Sequence, residues 1–383
     1  MPADRSEALP TARRPHRLAG GQPGILEPGA STDPYRLRLY RVLRTDFPLG
    51  HDPGLGAWLL SRYEDVVLAL TDPRFTGYPH DGAPRGPVPA PLGLCRGSLV
   101  CTPLPQGGTA PTGRETPDPR PETRDSRAET RDLRAETPDP RAASAGPVPA
   151  SAPAVTAAGP APAVERAAYV LARRIAGRDQ ADLVGEFCRW LPAGAGAAAG
   201  LSSPAPAAPP RPGGGADDCL RQAGLRERAL ASFLANMLDD PDLLAAVAGG
   251  GAGAGMLVRR AWAETLRRDP PVQIVLRRTR TEVRVSGGTL PAGEAVACLI
   301  GAAGRDPARF AAPDRFDPLR TDADPLFSGP AGCPAVLLGL LEAEHGLRAL
   351  LTAMPRIRWA EGFRPTASGV LTRGPRTLLV RPS

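Results

Sequence analysis

Apolar residues recur at helical spacing along much of the chain. Leu37, Leu39, Tyr40 and Leu43 follow Asp33-Pro34 and predict a helix through Arg44. Ala57 to Ser61 reads as a short strand, and Tyr63 to Leu70 as a second helix ended near Asp72-Pro73. Helical spacing resumes at Val164 and runs through Ile175. Leu225 to Met237 predicts another helix, and Asp240-Pro241 caps and opens the next. Leu257, Ala261 and Leu266 share one face of a helix that Pro270-Pro271 must stop. Val283 to Val285 and Thr289 to Leu290 flank Gly287-Gly288 as strand, turn and strand. The pattern is mainly α with small β-sheets.

Three stretches lack such periodicity. Residues 1–31 are rich in Pro, Gly and Arg, and disorder is expected there. Residues 77–163 are low-complexity and carry a seven-residue repeat, with copies starting at Glu115, Glu122, Glu129 and Glu136. Prolines interrupt the repeat and it has no apolar seam, so it is not a coiled coil. A solvated, disordered insert is expected. Residues 202–216 read as a Pro/Gly linker, and Gly249 to Gly255 as a flexible loop. The folded parts are then 32–76 and 164–383.

Composition adds little chemistry. The chain has 47 basic and 40 acidic residues, 43 Gly and 47 Pro, and every basic residue is Arg, the usage of a GC-rich genome such as an actinomycete's. Only 4% of residues are aromatic and no Arg stripe interleaves with them, so no nucleic-acid partner is expected. The six cysteines (Cys95, Cys101, Cys188, Cys219, Cys298, Cys333) lack metal-ligand spacing and read as free thiols of a reducing cytoplasm. Neither an apolar leader nor a run of about 18 apolar residues is present, so no membrane partner is expected either.

Linked motifs in the second half carry a resemblance. Glu264 and Arg267 stand three apart on the helix before Pro270. Leu276-Arg277-Arg278-Thr279, the strand-turn-strand unit, Arg305-Asp306-Pro307-Ala308-Arg309-Phe310 and Pro313-Asp314-Arg315-Phe316 follow in order. Together these resemble the C-terminal half of a bacterial cytochrome P450, and the pieces before Phe75 and the tail after Gly369 resemble its two ends. The resemblance implies a cytochrome P450-like fold interrupted by the insert. It also implies a buried Glu-Arg-Arg cluster of Glu264, Arg267 and Arg315, a structural device.

The elements that handle haem in that family are altered. Its clamp, a His or Trp with an Arg four residues on, has no candidate between Asp81 and Arg189. Its central helix carries an acid-alcohol pair that relays protons during dioxygen activation. Here Glu227 and Ser232 lie at the wrong spacing and read as helix-surface residues. The resemblance implies Cys333 as axial thiolate and Arg278 as a propionate partner, if haem is bound. Around Cys333 the run Phe327-Ser328-Gly329-Pro330-Ala331-Gly332-Cys333-Pro334-Ala335 departs from the family pattern. Pro334 removes a backbone donor beside the sulfur. Glu342 and Glu344 read as a solvated helix face, and His345 as partly exposed.

Scaffold residues kept beside altered haem residues suggest a protein that catalyses nothing. The chain looks like the P450-derived auxiliary proteins that activate a deoxysugar glycosyltransferase in antibiotic biosynthesis. That resemblance implies a glycosyltransferase partner and no cofactor. The alternative is a haem-thiolate monooxygenase with haem b on Cys333, and the second alternative a decayed copy without function.

Overall fold

The computed structural model describes Ile25 and residues 33–77, 160–198, 223–322 and 334–382. Helix α1 (Asp33–Thr45) leads into the hairpin β1 (Leu49–Asp52) and β2 (Ala57–Leu60). Helix α2 (Tyr63–Thr71) and strand β3 (Phe75–Gly77) follow. After the insert come α3 (Ala161–Ala176), β4 (Ala181–Asp182), a π-helical turn (Val184–Cys188) and α4 (Trp190–Ala198). The core continues with α5 (Ala223–Leu238), α6 (Pro241–Ala248) and α7 (Ala254–Arg268). Strands β5 (Ile274–Thr279), β6 (Val283–Val285), β7 (Gly288–Leu290) and β8 (Ala295–Leu299) precede the short α8 (Ile300–Ala303). Helix α9 (Pro334–Ala353) and strands β9 (Arg358–Trp359), β10 (Ala367–Ser368), β11 (Gly374–Pro375) and β12 (Leu379–Arg381) close the chain.

The elements match the periodicity with small boundary shifts. Helix α3 starts at Ala161, three residues before Val164, because Pro160 and Pro162 suit a first turn whose amides would have no intrahelical acceptor. Asp240 caps α6 as expected, accepting from the Leu243 amide at 2.9 Å. Most of the repeat-bearing insert, and the 1–31 and 202–216 expectations, lie outside the described residues. Strand β8 was not legible as a strand: Ala295 to Leu299 is a continuous apolar run without alternation. It sits inside the five-stranded sheet β1-β2-β8-β5-β3, buried on both faces, which explains the lost period.

Two kinds of core result. Helices α3, α4, α5, α7 and α9 bury one cluster that includes Ile175, Phe187, Leu191, Phe233, Trp262 and Leu350. From Ala229 to Leu238 helix α5 is buried on every face, so it runs through the centre. Helix α9 can approach α4 because Gly346 has no side chain: a Cβ there would lie 3.3 Å from Leu191 and 3.4 Å from Phe187. The five-stranded sheet supplies further clusters around Val275 and Cys298 on one hand and Leu43 and Leu59 on the other. A polar chain ties α1 to the second half. Arg36 donates to the Tyr40 hydroxyl at 2.6 Å, and that hydroxyl donates to Gln273 at 2.7 Å.

The strongest lock is at the end of α7. Arg267 grips both oxygens of Glu264, through Nε at 2.7 Å and Nη2 at 2.8 Å, and both side chains are fully buried. The second guanidinium on this carboxylate belongs to Arg320, with Nε 3.0 Å from Oε2. This corrects the expected Glu264-Arg267-Arg315 cluster. The Arg315 side chain is exposed, and only its carbonyl takes part, accepting from Arg267 Nη2 at 3.3 Å. The reason is the chain's course: after Asp317 donates its amide to Glu264 at 3.0 Å, the turn through Pro318 brings Arg320 back over the carboxylate. Arg267 also donates to the carbonyls of Gly304 (2.6 Å) and Pro313 (2.9 Å). Any Cβ at Gly304 would collide with the Arg267 carbonyl, so that approach requires glycine.

Removing one partner of a buried pair strands the other charge, at a cost of about 3 kcal/mol or more. Arg320→Ala should therefore lower stability by about that much, and Arg315→Ala by less than about 0.5 kcal/mol. Urea denaturation of the two variants decides between them; equal losses would return Arg315 to the cluster.

Candidate functional site

The site expected from sequence spans the strand after α7, the centre of α5 and the start of α9. On β5, side chains alternate between faces. Arg278 turns to the rim, half-buried, and donates from Nη1 to the Gly293 carbonyl at 2.7 Å. Its neighbour Arg277 turns inward and is 3% exposed. Arg277 Nη1 reaches only the carbonyl of Leu276, at 3.3 Å, and Nη2 has no hydrogen-bond partner. No carboxylate among the described residues pairs with it. Burial pushes this guanidinium down from its usual value. The ionisable group it senses is the Cys298 thiol, which burial pushes up to about 12 despite Arg277, so the thiol stays neutral.

Arg277 was not among the expected residues; it stands beside Arg278, the propionate partner expected from the resemblance. A buried guanidinium without a counter-charge is costly, and residues of that kind belong to sites that receive an anion. Arg277 fits a carboxylate, and haem b carries two. When bound, haem supplies dioxygen activation. Cys333 lies outside the described residues, so its place relative to Arg277 stays an expectation from sequence.

The centre of α5 departs from the chemistry its position suggests. Glu227 is engaged by Arg189 at 3.7 Å, and Ser232 is buried one and a half turns further on. Just before Glu227 stands Arg226, a residue that sequence reasoning passed over. Arg226 Nε donates to both oxygens of Glu342 on α9, at 3.0 and 3.2 Å, and Nη2 donates to the Pro192 carbonyl at 2.8 Å. Glu342 is therefore buried, which overturns its reading as a solvated helix position. Glu344, two residues on, does face the rim and pairs with Arg259 at 2.8 Å, and His345 is half-buried. Burial pushes Glu342 up to about 7, although Arg226 pulls the other way. The signal that could have found the pair is Arg226 itself, a charge on a helix otherwise destined for burial.

The comparisons agree with this architecture. The fold is cytochrome P450-like: the structure of CYP109E1 from Bacillus megaterium in complex with testosterone superimposes with a TM-score of 0.61, covering 91% of this chain and 99% of that one at 15% identity. Residues 256–324, a minor part of the chain, match the cytochrome P450 family model. Pulcherriminic acid synthase of Bacillus subtilis is 35% identical over 166 residues, 40% of each chain. Protein DesVIII of Streptomyces venezuelae is 42% identical over 132 residues, 33% of this chain and 32% of its own length. The chain thus spans less than half the length of the curated relatives it matches. Among the described residues, no helix is long and apolar enough to cross a membrane, and no cluster of His, Cys, Asp and Glu could hold a metal ion.

Two outcomes follow. Replacing Arg277 by Met removes a buried, uncompensated charge at similar volume, so the haem-free protein should gain about 1–2 kcal/mol in denaturant unfolding. Arg278→Met should stay within about 0.5 kcal/mol of the parent. In a haem titration followed by absorbance, only Arg277→Met should weaken any uptake. The second outcome concerns pH. Glu342 holds its proton more tightly folded than unfolded, where its ordinary value is 4.5. Its contribution is fully present below pH 4.5 and is lost as pH rises through about 7. Glu342→Gln should flatten that part of the stability profile, measured by denaturation from pH 4.5 to 8; an unchanged slope would remove Glu342 from the linkage.

Proposed function

We propose that this chain is a P450-like auxiliary protein that binds and activates a deoxysugar glycosyltransferase in polyketide antibiotic biosynthesis, and that it performs no chemistry of its own. The observation that carries this reading is the centre of α5. Where a proton relay needs a free acid beside an alcohol, the chain has Arg226 consumed by Glu342 and Glu227 drawn to Arg189. This buried pair ties the central helix to α9, with its carboxylate turned to Arg226 rather than to an alcohol. The similarity to protein DesVIII and the altered run around Cys333 support the same reading. Activation then means preferential binding to the competent state of the transferase, which raises that state's population.

A second reading rests on Arg277. Its bare, buried guanidinium favours a retained carboxylate site, and hence a haem-thiolate monooxygenase with Cys333 as axial ligand. Absorption spectra separate the two. Protein supplied with haem is recorded oxidised, then reduced under carbon monoxide. The auxiliary reading expects no thiolate-haem Soret shift from a cooperatively folded protein, and a gain in soluble, active glycosyltransferase on co-expression. A Soret shift abolished by Cys333→Ala would overturn it in favour of the enzyme. Failure to unfold cooperatively would point to the decayed copy.

A further inference from the structure

A groove of about 600 Å³ opens between the end of α1, the start of α2 and the segment 306–314. Arg41, Arg44, Arg62 and Arg309 line it. None of the four forms an ion pair with a carboxylate among the described residues; Arg44 and Arg62 are half-buried, and Arg44 senses the charges of Asp306 and Asp314 from a distance. The groove's own carboxylates are Glu64, Asp306 and Asp314. Two of these are occupied elsewhere. Asp306 accepts from the amides of Tyr63 (2.9 Å) and Ala308 (3.0 Å), and Asp314 is held by Arg305 at 2.9 Å. Glu64 is exposed at the rim.

The guanidiniums are also pre-positioned. Arg44 Nη1 donates to the Ala302 carbonyl at 2.7 Å, and Arg62 Nε donates to the Arg44 carbonyl at 3.1 Å, which leaves both Arg62 Nη groups free to donate elsewhere. Arg309 lies over the Tyr63 ring at 5.3 Å and the Phe310 ring at 5.1 Å. Arg41 is exposed on the last turns of α1. Fixed guanidinium forks with spare donors match the oxygens of a phosphate, and a planar cation held on aromatic faces loses little freedom when it binds.

We propose that this groove is a phosphate-binding site that takes the phosphate or diphosphate group of a small molecule. The charge excess of the groove, its volume and its fixed donors suit a ligand of nucleoside diphosphate size. The protein scaffold supplies only recognition, and no bond is made or broken.

The test uses the full chain in calorimetric titrations at low ionic strength with inorganic pyrophosphate, a nucleoside diphosphate and a short polyglutamate peptide. Pyrophosphate and the nucleoside diphosphate should bind, and Arg41→Gln and Arg309→Gln should each weaken them by roughly tenfold or more. Both residues are exposed, so thermal melts of the variants should match the parent. Arg260→Gln, on α7 and outside the groove, should leave binding unchanged. A nucleoside diphosphate that binds no better than pyrophosphate assigns the affinity to the phosphate group alone, as proposed. Absence of binding, binding indifferent to Arg41 and Arg309, or binding of the peptide in preference to both phosphates would overturn the proposal.

Discussion

The carboxylate of Glu264 is sealed from water with two guanidiniums on it, and much of the second half of the chain is arranged to keep it so. A lone buried carboxylate would be intolerable, and one guanidinium leaves lone pairs unanswered. Arg267 supplies a two-pronged grip, Asp317 an amide and Arg320 a second charge. To satisfy its remaining donors Arg267 must meet the carbonyls of Gly304, Pro313 and Arg315. The end of α7, the turn after α8 and the irregular segment 313–320 are thereby fastened at one point. That segment has no secondary structure of its own, so the charge cluster does for it what a ladder of backbone hydrogen bonds does for a sheet.

Legibility in the sequence followed how locally each feature is determined. Glu264 and Arg267 were legible because a helix fixes the meeting of residues three apart. Arg320 was not, because its approach depends on a chain reversal through Asp317-Pro318, and a nearer Arg315 offered itself first. Arg277 and Arg278 show a different limit. In a strand, neighbours face opposite ways, so the choice between them is one of parity. Ile274, Val275 and Leu276 are apolar on both faces, which erases the parity signal until the strand is seen with Val296 and Cys298 beside it. Glu342 shows a third. Helical spacing places it on α9, but only the arrival of Arg226 from α5 converts that face from solvated to buried.

The two buried charges found this way pull the functional reading in opposite directions, and the physics explains how one chain can hold both. Arg226 and Glu342 bond each other directly and join the central helix to α9. Arg277 is neutralised by nothing among the described residues, so it persists at a cost to stability that a ligand would offset. Proton relay and anion binding depend on different elements, α5 for one and β5 for the other. Loss at the first is compatible with retention at the second.

The arginine groove extends that logic to another part of the fold. A guanidinium is always charged and keeps its donors, so an unpaired one must be solvated or bound. Arg44, Arg62 and Arg309 are held by carbonyls and rings, and Arg44 also feels the charges of Asp306 and Asp314. Immobilisation without a direct ion pair suits a receptor, because the entropy of ordering the donors is already lost before the ligand arrives. A merely solvated arginine gains nothing from such fixing, and the surface arginines that do pair, such as Arg74 with Asp72, are fixed by the carboxylate itself.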